Sequence, residues 1–224
     1  MHGSAGTPIV GLEPSCVAVF RDELMGLFPM DEDAKRLSNQ TFILSEFLEK
    51  KAPEFRQPHI ARKAVVQGHC HHKSVLKFDD EKKLLEKMGV DANILTSGCC
   101  GMAGSFGFEA DKYGISVDIG ERVLLPAVRQ AGPETLIVAD GFSCRTQIEQ
   151  ETGRRALHLA ELIRMGQTQN ASDGAAAHKE EYPEDGLYEK RSSERRKARL
   201  SALVMLAAVG AIATAVTKAA KEAA

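Results

Sequence analysis

Two hydrophobic patterns alternate along the chain. Short continuous apolar runs, typical of buried strands, are followed by longer stretches whose apolar residues recur every three or four positions, typical of amphipathic helices. The apolar runs predict strands over 7–11, 63–67, 93–96 and 135–139. The periodic stretches predict helices over 17–27, 42–48, 80–88, 119–128, 145–152 and 156–165, with Gly89 as a C-terminal cap. Strands alternating with helices indicate an α/β fold with a parallel sheet flanked by helices.

One internal repeat suggests that the fold has two related halves. The segment 9–16 aligns without gaps with 137–144, and each copy is an apolar strand, a turn, and a Ser-Cys pair that opens a helix. The N-terminus of a helix favours a thiolate, so Cys16 and Cys144 occupy equivalent positions. We therefore predict that 1–62 is the remnant of a first half and that 63–165 is a complete second half.

The C-terminal part differs in composition. Residues 166–199 are polar and end in a charged cluster, which predicts a flexible linker. Residues 200–224 form an alanine-rich apolar stretch, and 200–216 carries no charge. This length is near the minimum of about 17 residues for a spanning helix, but a surface-lying or soluble helix is an equal alternative. The predicted location is cytoplasmic, with 200–216 as a candidate anchor on the cytoplasmic face of a membrane.

Composition narrows the functional classes. A formal net charge of −2, an aromatic content of 5% and the lack of Trp provide neither the basic surface nor the stacking platform that nucleic-acid binding requires. The five cysteines are too few, and odd in number, for a secreted disulfide framework. They favour a reducing compartment and metal or redox chemistry.

Four of these cysteines point to a metal site. Cys99 and Cys100 are adjacent and framed by glycines, which allow the sharp backbone bend that two thiolates need to reach one centre. Cys70, Cys99, Cys100 and Cys144 each follow a predicted strand, and parallel strand ends meet at one edge of a sheet. Four thiolates at that edge fit a four-cysteine iron–sulfur cluster.

Two alternatives compete with a cluster. The cysteines could be buried apolar residues, or with His69, His71 and His72 they could bind tetrahedral zinc. Structural zinc sites usually contain Cys-x-x-Cys pairs, however, and Gln147 stands where the partner of Cys144 would fall. The histidines could be ligands, donors of hydrogen bonds to sulfur, or polar turn residues. Lys73 could offset thiolate charge or be solvated.

With these motifs in hand, the chain resembles a known family over residues 7–165. It is similar to the cysteine-rich CCG domain that ends FAD-linked oxidases of the D-lactate dehydrogenase and glycolate oxidase type. Related domains occur in iron–sulfur subunits of glycerol-3-phosphate dehydrogenase and in heterodisulfide reductase. The stretches that carry the resemblance are 11–16, 68–73, 97–109, 140–145 and 156–161.

The resemblance implies a role in electron transfer. Cys70, Cys99, Cys100 and Cys144 would hold an iron–sulfur cluster, most simply 4Fe–4S, with Cys16 as a further candidate ligand. FAD would lie on a flavoprotein partner or an absent domain, and a membrane electron acceptor could receive the electrons. Heterodisulfide-type members carry another cysteine where this chain has Gln147, and Cys16 lacks the other cysteines of its half. The predicted function is therefore an electron-transfer module that is inactive alone.

Overall fold

The structure, a computed structural model, describes residues 6–171. The predicted linker beyond residue 171 and the apolar stretch 200–224 lie outside this range. Within it the strands are β1 (Ile9–Gly11), β2 (Thr41–Ile43), β3 (Lys63–Val66), β4 (Asp91–Ile94) and β5 (Leu136–Val138). The helices are α1 (Pro14–Ala18), α2 (Leu24–Leu27), α3 (Glu32–Gln40), α4 (Leu44–Lys51), α5 (Asp79–Lys87), α6 (Tyr113–Glu121), α7 (Leu124–Gln130), α8 (Phe142–Thr152) and α9 (Leu159–Ala171). A π-helical segment, Val19–Glu23, joins α1 to α2, a second covers His72–Leu76, and a 3₁₀ turn covers Phe106–Phe108.

All the described strands pair in parallel, which confirms the α/β prediction, but they form two sheets. β1 pairs with β2, with Ile9 opposite Thr41. β3 lies between β4 and β5, with Val65 opposite both Asn93 and Ile137. The two sheets fall on either side of residue 62, the predicted boundary between the halves. All three strands of the larger sheet end at the same edge, where the cysteine-bearing segments begin.

The first half differs from the predicted elements in two places. Residues 42–48 were expected to be helical, yet Thr41–Ile43 is a strand and the helix begins at Leu44. All three strand residues are buried, and a short apolar run of this kind does not distinguish a buried strand from a buried helix. The helix α3 was not predicted because its residues are almost all polar. Its start is set by Asp31, whose Oδ1 accepts hydrogen bonds from the backbone N–H groups of Asp33 and Ala34.

The core of the second half lies between the larger sheet and the helices α7 and α8. Leu124, Leu125, Val128 and Ile148 pack there with Val65 and Ile137, and the side chains of Cys100 and Cys144 belong to the same cluster. The site is thus built into the edge of the core.

The ends of two helices bear on the sequence predictions. Gly89 follows α5 with φ +73°, and the N–H of Val90 donates to the carbonyl of Leu85 while that of Gly89 donates to Glu86. This is a Schellman ending, as expected for a glycine at this place. Helix α9 continues to Ala171, beyond the predicted end at residue 165. Among residues 6–171, no helix has the length and apolarity needed to cross a membrane.

The packing of α7 predicts how a core substitution changes the free energy of unfolding. Leu125 is 0% exposed whereas Leu27 is 73% exposed. Replacing Leu125 with Ala should lower the free energy of unfolding by about 2–5 kcal/mol, because the removed methyl groups leave a cavity. The matched control, Leu27→Ala, should change it by less than about 0.5 kcal/mol. Urea denaturation of the full chain measures both, and equal effects would contradict the described core.

Candidate metal centre

Three strand ends bring the predicted cysteines together. β3 leads through Gln67 and Gly68 into a helical turn that contains Cys70, and β4 leads into the loop of Cys99 and Cys100. β5 leads into α8, whose third residue is Cys144. All the cysteines are free thiols. The burial differs within the group, because Cys100 and Cys144 are buried while Cys70 and Cys99 are partly accessible.

The thiols of these cysteines lie close enough to affect one another's ionisation: Cys99 acts on the pKa of Cys70 and Cys100, and Cys144 acts on that of Cys100. Cys100 and Cys144 belong to one packed cluster, and Cys99 packs against it. Hydrogen bonds from Cys100 and Cys70, helped by the backbone N–H of Gly101 at 3.3 Å, lower the pKa of Cys99 to about 2. The neighbouring thiols and burial raise the pKa of Cys70 and Cys100. Without a cation, negative charge on Cys99 therefore disfavours charge on these neighbours.

Two side chains tie the strand ends to each other. The hydroxyl of Ser97 donates to Oε1 of Gln67 at 2.5 Å, which joins the segments after β4 and β3. The Nζ of Lys73 donates to the carbonyl oxygens of Leu95 at 2.5 Å and Ser97 at 3.4 Å. Burial lowers the pKa of Lys73, and the charge of Cys144 partly opposes this. Lys73 therefore braces the Cys99 loop in addition to facing thiolate charge.

Glycine is required at Gly101. Its φ is +104°, and a Cβ atom there would lie 2.0 Å from the carbonyl oxygen of Ser116. Both the backbone conformation and the close approach to α6 exclude a side chain. Nε2 of the buried Gln147 donates to the same carbonyl oxygen at 3.1 Å. Gln147, noted in the sequence as the residue in place of a further cysteine, thus links α8 to α6.

The three histidines divide into two groups. The rings of His69 and His71 stack with centroids 5.4 Å apart, and Nδ1 of each lies 4.0 Å from Sγ of Cys70. The backbone N–H of His71 donates to Nδ1 of His69 at 3.2 Å, and burial lowers the pKa of His69. His72 lies elsewhere, with its ring against Phe78 at 4.7 Å between centroids.

Cys16 is the one cysteine of residues 1–62. It is exposed, and it is the third residue of α1 just as Cys144 is the third residue of α8, which agrees with the internal repeat. The turn before it does reach the second half: Oε2 of Glu13 accepts a hydrogen bond from the N–H of Phe142 at 2.6 Å, and Nε2 of His158 lies 2.8 Å from the carbonyl oxygen of Leu12.

Sequence reasoning missed a buried acidic pair beside this site. Glu81 and Asp140 are buried next to His72. Burial and the neighbouring Asp140 raise the pKa of Glu81 well above its usual range, and burial lowers the pKa of His72 to about 4. Asp140 directly follows an apolar run, and this position at the end of a predicted strand could have identified it from the sequence as a site residue. Glu81 stands in a run of charged residues, where no pattern distinguished it from its solvated neighbours.

The glycine at 101 makes a prediction about the loop. Gly101→Ala should lower the free energy of unfolding of the metal-free chain by at least about 1–3 kcal/mol, because the new side chain meets backbone atoms at a positive φ. Gly98→Ala is the matched control, since an added Cβ there meets no atom within 4 Å. It should change stability by less than about 0.5 kcal/mol. Chemical denaturation under reducing conditions measures both, and a neutral Gly101→Ala would contradict the loop geometry.

Comparison with known proteins shows which sequences this chain is similar to. No protein-family model matches the chain. It is 28% identical over 160 residues to D-2-hydroxyglutarate dehydrogenase of Pseudomonas putida, which covers 70% of this chain and 15% of that protein. It is 28% identical over 166 residues to one of the subunits of the anaerobic glycerol-3-phosphate dehydrogenase of Escherichia coli, covering 72% of this chain and 41% of that protein. The D-2-hydroxyglutarate dehydrogenase of Escherichia coli is 26% identical over 161 residues, covering 70% of this chain and 15% of that protein. The chain spans less than half of the length of each of these relatives, and it is similar to a segment shared by two kinds of dehydrogenase.

Proposed function

We propose that the chain is an iron–sulfur electron-transfer module of an FAD-linked 2-hydroxy-acid dehydrogenase. It receives electrons from a flavin domain or flavoprotein partner and passes them to a downstream acceptor. The observation that carries the proposal is the convergence of four cysteines at three strand ends of one parallel sheet, in a segment similar to part of two kinds of dehydrogenase.

The donor set fits an iron–sulfur cluster. Cys70, Cys99, Cys100 and Cys144 would hold it, and a bound cluster supplies one-electron storage and transfer. Thiols this close cannot all ionise in a bare protein, whereas a cationic centre among them allows it. The N–H of Gly101 points at Sγ of Cys99, and hydrogen bonds to cluster sulfurs are among the factors that set a reduction potential.

A zinc-binding interaction module without redox function is the second candidate. It is favoured by one observation, the potential ligand atoms of His69, Cys70 and His71 within 4.8 Å of one another. Nδ1 of His69 is already engaged, however, by the backbone N–H of His71. The neighbouring thiols offer Cys70 an all-sulfur set that needs no histidine, and this favours the cluster.

The relatives suggest which substrates to examine. D-2-hydroxyglutarate is a 2-hydroxy acid, and the name of the glycerol-3-phosphate dehydrogenase relative describes one part of a larger enzyme. Oxidation of a hydroxyl carbon releases a hydride, and a cluster accepts single electrons only. The flavin that accepts the hydride would lie on a partner or another domain, and this chain would take the electrons from it one at a time.

The cluster assignment predicts the effect of cysteine replacement. After anaerobic reconstitution with iron and sulfide, the full chain should be brown, with absorption that bleaches on dithionite reduction. Replacing both Cys99 and Cys100 with Ser should reduce bound iron and sulfide at least about tenfold, because half of the thiolates are removed. Cys16→Ser is the control and should keep the iron content of the parent, since Cys16 is exposed and residues 1–62 contain no other cysteine that could join it. A colourless, zinc-containing parent would favour the second candidate.

Because the flavin would lie on a partner or another domain, we expect substrate oxidation to depend on a flavoprotein. The purified chain, loaded with cluster and supplemented with FAD, should reduce no dye with D-2-hydroxyglutarate, lactate, glycolate or glycerol 3-phosphate. Adding a partner flavoprotein of the FAD-linked dehydrogenase type, with its substrate, should bleach the cluster absorption. Turnover by the chain alone would overturn the proposed role, and the loaded Cys16→Ser variant checks that an exposed thiol does not reduce the dye.

A further inference from the structure

A second cluster of ligand atoms lies beside the cysteine centre and uses none of its thiols. His72 follows the Cys70 turn, Glu81 lies on α5, and Asp140 follows β5. The three residues are 1%, 1% and 2% exposed, respectively. One nitrogen or oxygen atom from each lies within 4.8 Å of the others. Three separate elements therefore converge on one buried point.

The polar atoms at this point lack partners among the described residues. Both ring nitrogens of His72, Oε2 of Glu81 and Oδ2 of Asp140 are fully buried without a hydrogen bond. The other oxygen of Asp140, Oδ1, is used, because it accepts from the N–H of Leu159 at 2.9 Å. Buried polar groups are nearly always paired, and an exception of this size calls for a missing ligand.

Charge points to a cation as that ligand. Glu81 and Asp140 face each other, and within residues 6–171 neither forms an ion pair with a lysine or arginine. His158 lies 3.5 Å from Oδ1 of Asp140, but its Nε2 is closer to the carbonyl oxygen of Leu12, at 2.8 Å. Two buried carboxylates without a counter-charge are costly, whereas a divalent cation neutralises both.

Distance supports direct coordination. Nδ1 of His72 and Oε2 of Glu81 are 3.4 Å apart, longer than an ordinary N–H···O hydrogen bond of about 2.7–3.2 Å. Ligand atoms bound to tetrahedral zinc at about 2.0–2.2 Å lie about 3.4 Å from each other. The pair thus has the spacing of two ligands of one ion.

We propose that His72, Glu81 and Asp140 bind one divalent transition-metal ion, Zn²⁺, at a site separate from the four cysteines. One nitrogen and two oxygen ligands leave a fourth tetrahedral position for water. The ion would join the Cys70 turn to the end of β5 and so fix the spacing between Cys70 and Cys144. This binding does not depend on whether the cysteines hold iron.

The test separates this site from the cysteine centre. It uses the full chain with Cys99 and Cys100 replaced by Ser, which cannot assemble the proposed cluster. The chain is incubated with Zn²⁺, passed over a desalting column and analysed for metal. We expect about one Zn²⁺ per chain and at least about a tenfold loss on Glu81→Gln or Asp140→Asn. Glu46→Gln is the matched control, because Glu46 is also buried but is paired with Arg21 and Lys50. It should retain the zinc.

Two further measurements make each outcome decisive. Cobalt substitution should give weak visible bands without the intense near-ultraviolet absorption of thiolate ligation. In the chain with Cys99 and Cys100 replaced by Ser, which is the parent for this test, Zn²⁺ should raise the melting temperature. It should do the same after Glu46→Gln, but not after Glu81→Gln. Thiolate absorption, or zinc that survives both Glu81→Gln and Asp140→Asn, would overturn the proposal by placing the ion on the remaining cysteines. A parent without zinc would also overturn it and would mean that Glu81 and Asp140 share a proton.

Discussion

Mutual repulsion among thiolates is the constraint on which the cysteine centre depends. Parallel strands end at one edge of their sheet, and in this chain three such ends deliver four thiols to a single place. Cys99 takes the negative charge most readily and thereby disfavours charge on Cys70 and Cys100. In the metal-free protein, holding these thiolates close together is electrostatically unfavourable. The surrounding packing and hydrogen bonds must therefore supply the rigidity that keeps the cysteines in place. A bound cation would remove the cost, and the metal centre that we propose rests on this argument.

That rigidity comes from groups that are not themselves ligands. The hydroxyl of Ser97 and the ammonium of Lys73 tie the loop after β4 to the segment after β3. Gly101 allows the loop to approach α6, and Gln147 holds α8 to the same carbonyl oxygen. The position where a related domain would have another cysteine therefore serves packing here. Supporting residues of this kind orient a metal site as much as its ligands do.

The sequence predicted the parts of the fold that depend on local patterns. Apolar runs gave β3 and β5, whereas the predicted strand 93–96 overlaps only the end of β4, which is Asp91–Ile94. The cysteines that follow the strands were expected at one edge because parallel strands require it. The strand at Thr41–Ile43 and the helix α3 were missed, since one is a three-residue apolar run and the other is almost entirely polar. Glu81 could not be distinguished from its charged neighbours, because its burial depends on how α5 packs. Such contacts are set by tertiary structure, and no spacing in a single sequence reveals them.

The carboxylate of Glu13 has a consequence for how the two halves fold. Its Oε1 accepts from the hydroxyl of Ser15 at the start of α1, while its Oε2 accepts from the N–H of Phe142 at the start of α8. The residue at the N-cap of α8 is Gly141, which has no side chain to cap the helix itself. The helix that presents Cys144 is therefore completed by a residue from the other half. A fragment beginning at residue 63 would lose this cap, and the first N–H group of α8 would then have to bond with water.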